Sequence, residues 1–503
     1  MARLRTNIVA NIGGQGWAAL VQIAFVPLYL KFLGIEAYGL VGFYTVIQGI
    51  LQVLDLGLSP TMMRELARYS TLPGKEEELR DFVRTLEVGY WLIGALIGAG
   101  ILLGAPAISA YWINPGSLSR ATVTRAVGII GIISFFQWPL SFYQGSLMGL
   151  QKQVSFNVVK SVMSTFTGLG AILILWLVSH SINSFFTWMI FTSALQVFSL
   201  QVLLWFSLPK SHRTPKVRHE LVKKVWRFAA GMSGISVTAI ILTQMDKIVV
   251  SKILTLRDFG YYALASVVAG GLGMITAPVF NAIFPHFTTL ATQKETRQLQ
   301  ALYHRTSQIM AVLLFPAAFV IAFYSLEVLQ AWTGNIVTAQ HTAAIVSLLI
   351  LGTALNGIMN LPYSLQLAYG WTSLALWINT FFIATMIPLL IFATSHFGAV
   401  GAAAVWLTLN TLYVFVGVPL THRRLLRGQT REWFISDIGM PILISLVLVL
   451  TSRFGFTPPN SRLASVVFLC TILFVVYTGA AASAKEVRGW ILQRLNLRRS
   501  TTT

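Results

Sequence analysis

Lys31-Phe32-Leu33-Gly34-Ile35-Glu36-Ala37-Tyr38-Gly39 joins two apolar stretches, and a version of it returns 221 positions later as Lys252-Ile253-Leu254 followed by Arg257-Asp258-Phe259-Gly260. Lys31 pairs with Lys252, Leu33 with Leu254, Tyr38 with Phe259 and Gly39 with Gly260. A second anchor has nearly the same offset. Pro139 and Pro362 each stand inside an apolar run, and each is followed two residues on by a serine, Ser141 and Ser364. Weak internal symmetry of this kind marks a membrane chain made of two like halves with a site between them.

Composition agrees. Only 10% of residues are charged, against about a quarter in soluble domains, and the mean hydropathy is +0.72. Runs of about 20 apolar residues read as spans. They fall at 8–30, 38–59, 83–104, 122–147, 153–178 and 182–208, then at 228–251, 259–285, 306–327, 342–368, 371–394 and 399–421. Two more, 436–453 and 461–484, complete an all-α polytopic membrane protein of about 14 transmembrane helices. The expected organisation is a six-helix bundle over 1–208, a cytoplasmic linker at 209–227 and a second six-helix bundle over 228–421. An additional helix pair with a basic cytoplasmic tail fills 422–503. The basic start, Met1 to Arg5, looks like a signal peptide but has no cleavage site before Leu30, so the first helix is read as retained.

The net charge of +20 is an orientation device. If both termini are cytoplasmic, the great majority of the 36 Lys and Arg residues fall in cytoplasmic segments, as the positive-inside rule requires. That distribution argues against nucleic acid as a partner. Cys470 is the only cysteine, so no disulfide forms within the chain, and a buried inert thiol is expected.

Catalysis is disfavoured by absence. No Gly-x-x-x-x-Gly-Lys-Ser/Thr loop holds nucleotide phosphates, and no His/Cys spacing suits a metal. The outside connections are short, and the first offers only Glu36.

What remains is a set of polar stripes at helical spacing. Asn11, Gln15 and Gln22 share one face of the first helix; Thr45, Gln48, Gln52 and Asp55 share one of the second. Ser134, Gln137, Ser141 and Gln144 follow on the fourth, and Asn157, Lys160, Ser161, Ser164 and Gly168 on the fifth. The seventh carries Ser233, Ser236, Thr243, Gln244 and Lys247, with Asp246 just off the line. Single amides and hydroxyls often serve only to glue helices together. Stripes on several helices imply a polar cavity, because amides facing lipid are costly. Charged residues discriminate better, since Lys or Asp at mid-bilayer costs at least ~2.5–3.5 kcal/mol. Lys160 lies two turns into its helix, beyond easy snorkelling. Lys247 and Arg125 admit snorkelling to the outer headgroups, and Asp246 with Lys247 admits a local charge pair. The runs Gly94-x-x-x-Gly98-x-Gly100 and Gly270-Gly271-x-Gly273 read as close helix packing, the second also as a hinge. A cavity richer in Lys and Arg than in carboxylates suits an anionic cargo, with phosphate or pyrophosphate the natural candidate.

Leu33-Gly34-x-x-x-Tyr38-Gly39-Leu40, Asp55-Leu56-Gly57-Leu58 and Arg64-Glu65-Leu66-Ala67-Arg68-Tyr69 resemble the start of bacterial polysaccharide and O-antigen flippases. These belong to the multidrug/oligosaccharidyl-lipid/polysaccharide (MOP) exporter superfamily. Gly149-Leu150-Gln151-Lys152 and Gln244-x-Asp246-Lys247 also resemble them. The resemblance implies a V-shaped pair of bundles that turns a lipid-linked oligosaccharide over from the cytoplasmic to the periplasmic leaflet of the inner membrane. Helices one, two, seven and eight would line the cavity, and the C-terminal pair would offer a groove for the polyprenyl tail. It adds coupling to a proton or sodium gradient, no cofactor, and membrane lipids and other polysaccharide-assembly proteins as partners. Lys160, Lys247, Arg125 and Arg64 are the expected contacts for phosphate. Asn11, Gln15, Gln22, Gln48, Gln52 and Gln244 are those for sugar hydroxyls, while Asp55 and Asp246 pair with the cations or carry a coupling proton. The alternatives are a cation-coupled multidrug exporter of the same superfamily and a membrane-embedded polysaccharide polymerase or ligase.

Overall fold

The computed structural model describes residues 2–55, 58–70, 74–211, 213–218, 220, 238, 241–459 and 461–489; the side chains of residues 2–12 lie outside the description. Regular structure among the described residues is helical, apart from one isolated bridge between Asn114 and Thr255. Among the described residues ten helices are long and apolar enough to cross a bilayer, or eleven when a bent pair counts as one span. This is a multi-pass membrane protein.

Helix α1, Ala2–Leu54, is interrupted at Gly34, where φ is 76° and ψ is 168°, a backbone state that glycine adopts without steric cost. At 1.5 Å per residue its length is more than twice the ~30 Å hydrocarbon core. The break therefore separates two arms, at the places expected for 8–30 and 38–59. The second arm stops at Leu54, short of the expected end. A separate α2, Leu58–Tyr69, follows where a connection was expected. It is amphipathic: Thr61, Met62, Leu66 and Tyr69 are buried while Met63, Arg64 and Arg68 are exposed. Its polar face kept it below the hydropathy of a span.

The first unit continues with α3 (Glu76–Tyr111), α4 (Arg120–Gly149), α5 (Gln153–Leu177) and α6 (Ile182–Ser207). Helix α7 is described over 241–253; the expected start of that span, Ser233 and Ser236, and most of 219–227 lie outside the described residues. Helices α3 and α4 form the most extensive pair. Gly98 and Gly131 allow it, since a Cβ on either would come within 3.0 Å of the other's carbonyl oxygen. Leu66, Phe82, Val83, Phe142, Tyr143, Leu147 and Leu204 close the core around this seam.

Past α7, α8 (Leu256–Gly270) and α9 (Gly273–Thr292) are two helices bent by 40°, so the span expected at 259–285 is broken in its middle. The break falls inside the Gly270–Gly273 run, and since nothing lies within 4 Å of a Cβ on Gly270 or Gly273, the close packing expected there is not found at these two glycines. Then come α10 (Thr296–Phe323), α11 (Ser325–Thr333), α12 (Ile336–Ala368) and α13 (Thr372–Leu425). Gly398, with φ 61°, divides α13 as Gly34 divides α1. The C-terminal pair is α14 (Thr430–Gly455), with a π-helical stretch Trp433–Gly439, and α15 (Arg462–Ser483). Both pack on α10. On α15 the buried face is Ile472, Val476 and Ala480. Cys470 lies off that face and is exposed, correcting the expected buried thiol. The chain divides into two compact units, Met1–Gly260 and Tyr261–Thr503.

Candidate functional site

Asp55 ends α1 and begins the turn into α2. One carboxylate oxygen accepts the backbone N–H of Ser59 at 3.1 Å, which caps α2. The other accepts the Tyr90 hydroxyl at 3.1 Å and the Ser141 hydroxyl at 3.0 Å. Among the described residues no basic side chain forms an ion pair with Asp55. That corrects the expected pairing with a cavity cation. The carboxylate is a fixed junction of α1, α2, α3 and α4.

Around this junction three of the polar stripes converge on one cavity of about 320 Å³. The last turns of α1 supply Gln48, Leu51, Gln52 and Asp55; α4 supplies Gln137, Trp138, Leu140, Ser141 and Gln144. Helix α5 adds Phe156 and Lys160, and α6 adds Gln196 and Leu200. Lys160 is half-buried and takes part in no ion pair among the described residues. It and Asp55 are the ionisable side chains of the lining among the described residues. Gln137 is held by the Ser193 hydroxyl at 2.9 Å. Two donors lack an acceptor: Gln48 Nε2 and Trp138 Nε1 are buried and unpartnered. Buried donors without acceptors are costly, so this lining is incomplete as a protein core and suited to a ligand with acceptor oxygens.

Among the described side chains, the other expected residues do not join this cavity. Gln15 and Gln22 are exposed, and the side chain of Asn11 lies outside the described residues. The Gln244 carboxamide packs on Gly49. Lys247 lies 3.6 Å from Asp246 and donates to the carbonyl of Thr243, so the local charge pair is formed. Arg125 is exposed on α4, and Arg64 is exposed on α2. Glu36, the outside carboxylate, accepts the N–H groups of Gly116, Ser117 and Leu118 and the Ser117 hydroxyl. It is spent on holding the α3–α4 loop.

Sequence reading missed three parts of this region. Trp138 and Gln196 belong to apolar runs and carry no periodic signal. Glu87 is a carboxylate inside the apolar α3, and that alone could have flagged it. It is buried, accepting from the Tyr143 hydroxyl at 2.8 Å, Gln201 at 3.0 Å and Trp205 at 3.1 Å, and it pairs with Arg84. In the second unit the buried Asp437 contacts His304 and accepts from Gln308 at 2.9 Å. Among the described residues no group of His, Cys, Asp or Glu is arranged to hold a metal.

Comparison with known proteins follows the same line. Residues 30–339 match the family described as "Polysaccharide biosynthesis protein". A Shigella flexneri protein named "Putative O-antigen transporter" is 21% identical over 403 residues, 80% of this chain and 93% of that protein. Among solved structures, the lipid II flippase MurJ in an inward closed conformation superposes with a TM-score of 0.69 at 15% identity. The match covers 93% of this chain and 97% of that one. An inward-facing multidrug resistance MATE family transporter of the MOP superfamily gives 0.65 at 13% identity, covering 82% and 96%. The fold is therefore shared with these two proteins.

Proposed function

The chain belongs to the polysaccharide biosynthesis protein family, and we propose that it is a flippase for an undecaprenyl-pyrophosphate-linked oligosaccharide. It works in the bacterial inner membrane, moving its cargo from the cytoplasmic to the periplasmic leaflet by alternating access for O-antigen, capsule or exopolysaccharide assembly. Fourteen spans with both termini cytoplasmic complete this reading. It carries no catalytic group of its own, and a proton or sodium gradient drives it.

The observation that supports this most is the cavity beside Asp55. It opens where α1 ends and α5 begins, which the distribution of Lys and Arg assigns to the cytoplasmic side. That is the side on which a lipid-linked head group is loaded. A lone lysine among glutamines suits an oxygen-rich cargo better than a cationic drug, which would need unspent carboxylates. The one carboxylate of the lining, Asp55, is engaged by hydroxyls and a backbone amide.

The test is reconstitution into liposomes with a labelled lipid-linked oligosaccharide, following its leaflet with and without an ion gradient. Wild-type protein should move the label unaltered, and Lys160→Ala should slow it at least about tenfold at equal protein level, as loss of a charge-assisted contact implies. New glycosidic bonds in the product, or full-speed transfer by Lys160→Ala, would refute the assignment.

A further inference from the structure

We propose that the cavity of the first unit reads a single sugar ring of the cargo through a carbonyl-type oxygen, and that the diphosphate is held elsewhere. This rests on the flippase reading of the same cavity and narrows it.

Charge decides first. Among the described residues the lining carries one cation, Lys160, and one anion, Asp55, which balance. Asp55 stays in place because Tyr90, Ser141 and the Ser59 amide all donate to it. A diphosphate brings more than one negative charge. Here it would meet a single ammonium and stand near a fixed carboxylate, leaving charge unmatched in a partly dehydrated space.

The donors decide the group that is bound. Gln48 Nε2 and Trp138 Nε1 are buried without acceptors, and Trp138 is 4% exposed. Both residues line the cavity together with Lys160. An acetamido oxygen, with two lone pairs, or a carboxylate, with four, can accept from these two N–H donors, whereas water returns to bulk at little cost. Leu140, Phe156 and Leu200 offer the apolar contact that the C–H face of a pyranose needs. Gln52, Gln144 and Gln196 bring amides, each both donor and acceptor, to its hydroxyls. A volume of about 320 Å³ lies at the bottom of the ~300–1,000 Å³ range of ligand sites, room for one ring rather than a repeat unit.

The experiment is ligand-observed NMR on the detergent-solubilised full chain, by saturation transfer for N-acetylglucosamine and glucuronate and by phosphorus-31 line broadening for inorganic pyrophosphate, each probe used separately. Saturation of at least one sugar is expected. It should fall on the order of five- to tenfold in Trp138→Phe, which keeps an aromatic ring but removes the indole N–H, and in Gln48→Leu. An unchanged unfolding midpoint shows that the variants are folded. Binding of N-acetylglucosamine identifies the oxygen as acetamido. Binding of glucuronate alone, lost in Lys160→Met, identifies it as carboxylate. Pyrophosphate should show no line broadening that depends on Lys160. The proposal is overturned if pyrophosphate binds and Lys160→Met abolishes it, if neither sugar binds, or if the sugar signals survive Trp138→Phe and Gln48→Leu. No step requires transfer between leaflets, so a protein that binds sugar yet moves no lipid would defeat the flippase reading and leave this subsite standing.

Discussion

Gly39 lies against the carbonyl oxygen of Leu256, so closely that a Cβ at position 39 would come under 3.0 Å from it. Gly260 stands in the same relation to the carbonyl of Ile35. Ile35 and Leu256 are separated by the same 221 positions as the two glycines. The two copies of the repeat therefore meet reciprocally, each glycine on the other's backbone, as residues do across a local two-fold axis. The α3–α4 loop fastens both copies. Glu36 of the first holds Gly116, Ser117 and Leu118, and Asn114 accepts from Leu256 N at 2.8 Å while Trp112 donates to Ser251 at 3.1 Å.

Replacement of either glycine by alanine should disturb this contact, because the opposing atom is backbone and cannot swing aside. We expect Gly39→Ala and Gly260→Ala each to lose about 1–3 kcal/mol, the usual cost of overpacking, measured as a lowered unfolding midpoint in detergent. Gly100→Ala is the control, since nothing lies within 4 Å of a Cβ there. Equal midpoints for all three would show that the reciprocal contact carries no weight.

Asp55 offers a test of structure against coupling. In Asp55→Asn the remaining carbonyl oxygen still accepts from Tyr90 and Ser141, and only the cap on Ser59 weakens. A stability loss of about 1 kcal/mol is expected, with leaflet transfer and its pH profile little changed. If transfer stops while the protein remains folded, the carboxylate is a proton carrier and the structural role assigned to it fails.

The apolar helices were legible because a bilayer demands long unbroken runs, and the breaks at Gly34 and Gly398 show as single glycines between two such runs. Helix α2 was not legible as a helix, because its Met62, Leu66 and Tyr69 face is too short to raise the hydropathy of a window. Spacing also put Gln48, Gln52 and Asp55 on one face and Gln137, Ser141 and Gln144 on another. What spacing cannot say is what a face meets. The α1 stripe of Gln15 and Gln22 has the same periodicity and does not reach this cavity. Lys160 was found through the cost of burying an ammonium, an argument that needs no neighbours. Trp138 and Gln196 enter only through tertiary packing, which no local pattern encodes.

Glu87 is the buried carboxylate on which α3, α4 and α6 meet. In Glu87→Ala the Tyr143, Gln201 and Trp205 donors and the Arg84 guanidinium lose their common acceptor. Breaking a buried charged network in this way costs about 3–5 kcal/mol, so the variant should unfold at a clearly lower temperature. Its Trp205 fluorescence should move to the red as the indole gains water. Glu87→Gln keeps one acceptor and should fall between. An Ala variant as stable as the wild type would mean that water satisfies these donors.

The C-terminal pair hangs on a similar device in the second unit. Asp437 sits in the π-helical turn of α14, 1% exposed, and faces His304 and Gln308 of α10. His304 also contacts Gln429 at 2.9 Å, and Gln308 accepts the backbone N–H of Glu486 beyond α15 at 2.9 Å. One carboxylate thus organises the join of α10 to both added helices, and a π turn, rare and poorly bonded by itself, persists because Asp437 is held there. Asp437→Ala should release the join. Hydrogen exchange should rise across 430–455 and 484–489 while α12 and α13 stay protected, because their shared interface does not include Asp437. Asp437→Asn, which keeps an acceptor for one of the two partners, should raise exchange less. Unchanged exchange over 430–455 in the Ala variant would show that apolar packing of α14 and α15 on α10, through contacts such as Val312 with Ala480 and Ala484, suffices without the carboxylate.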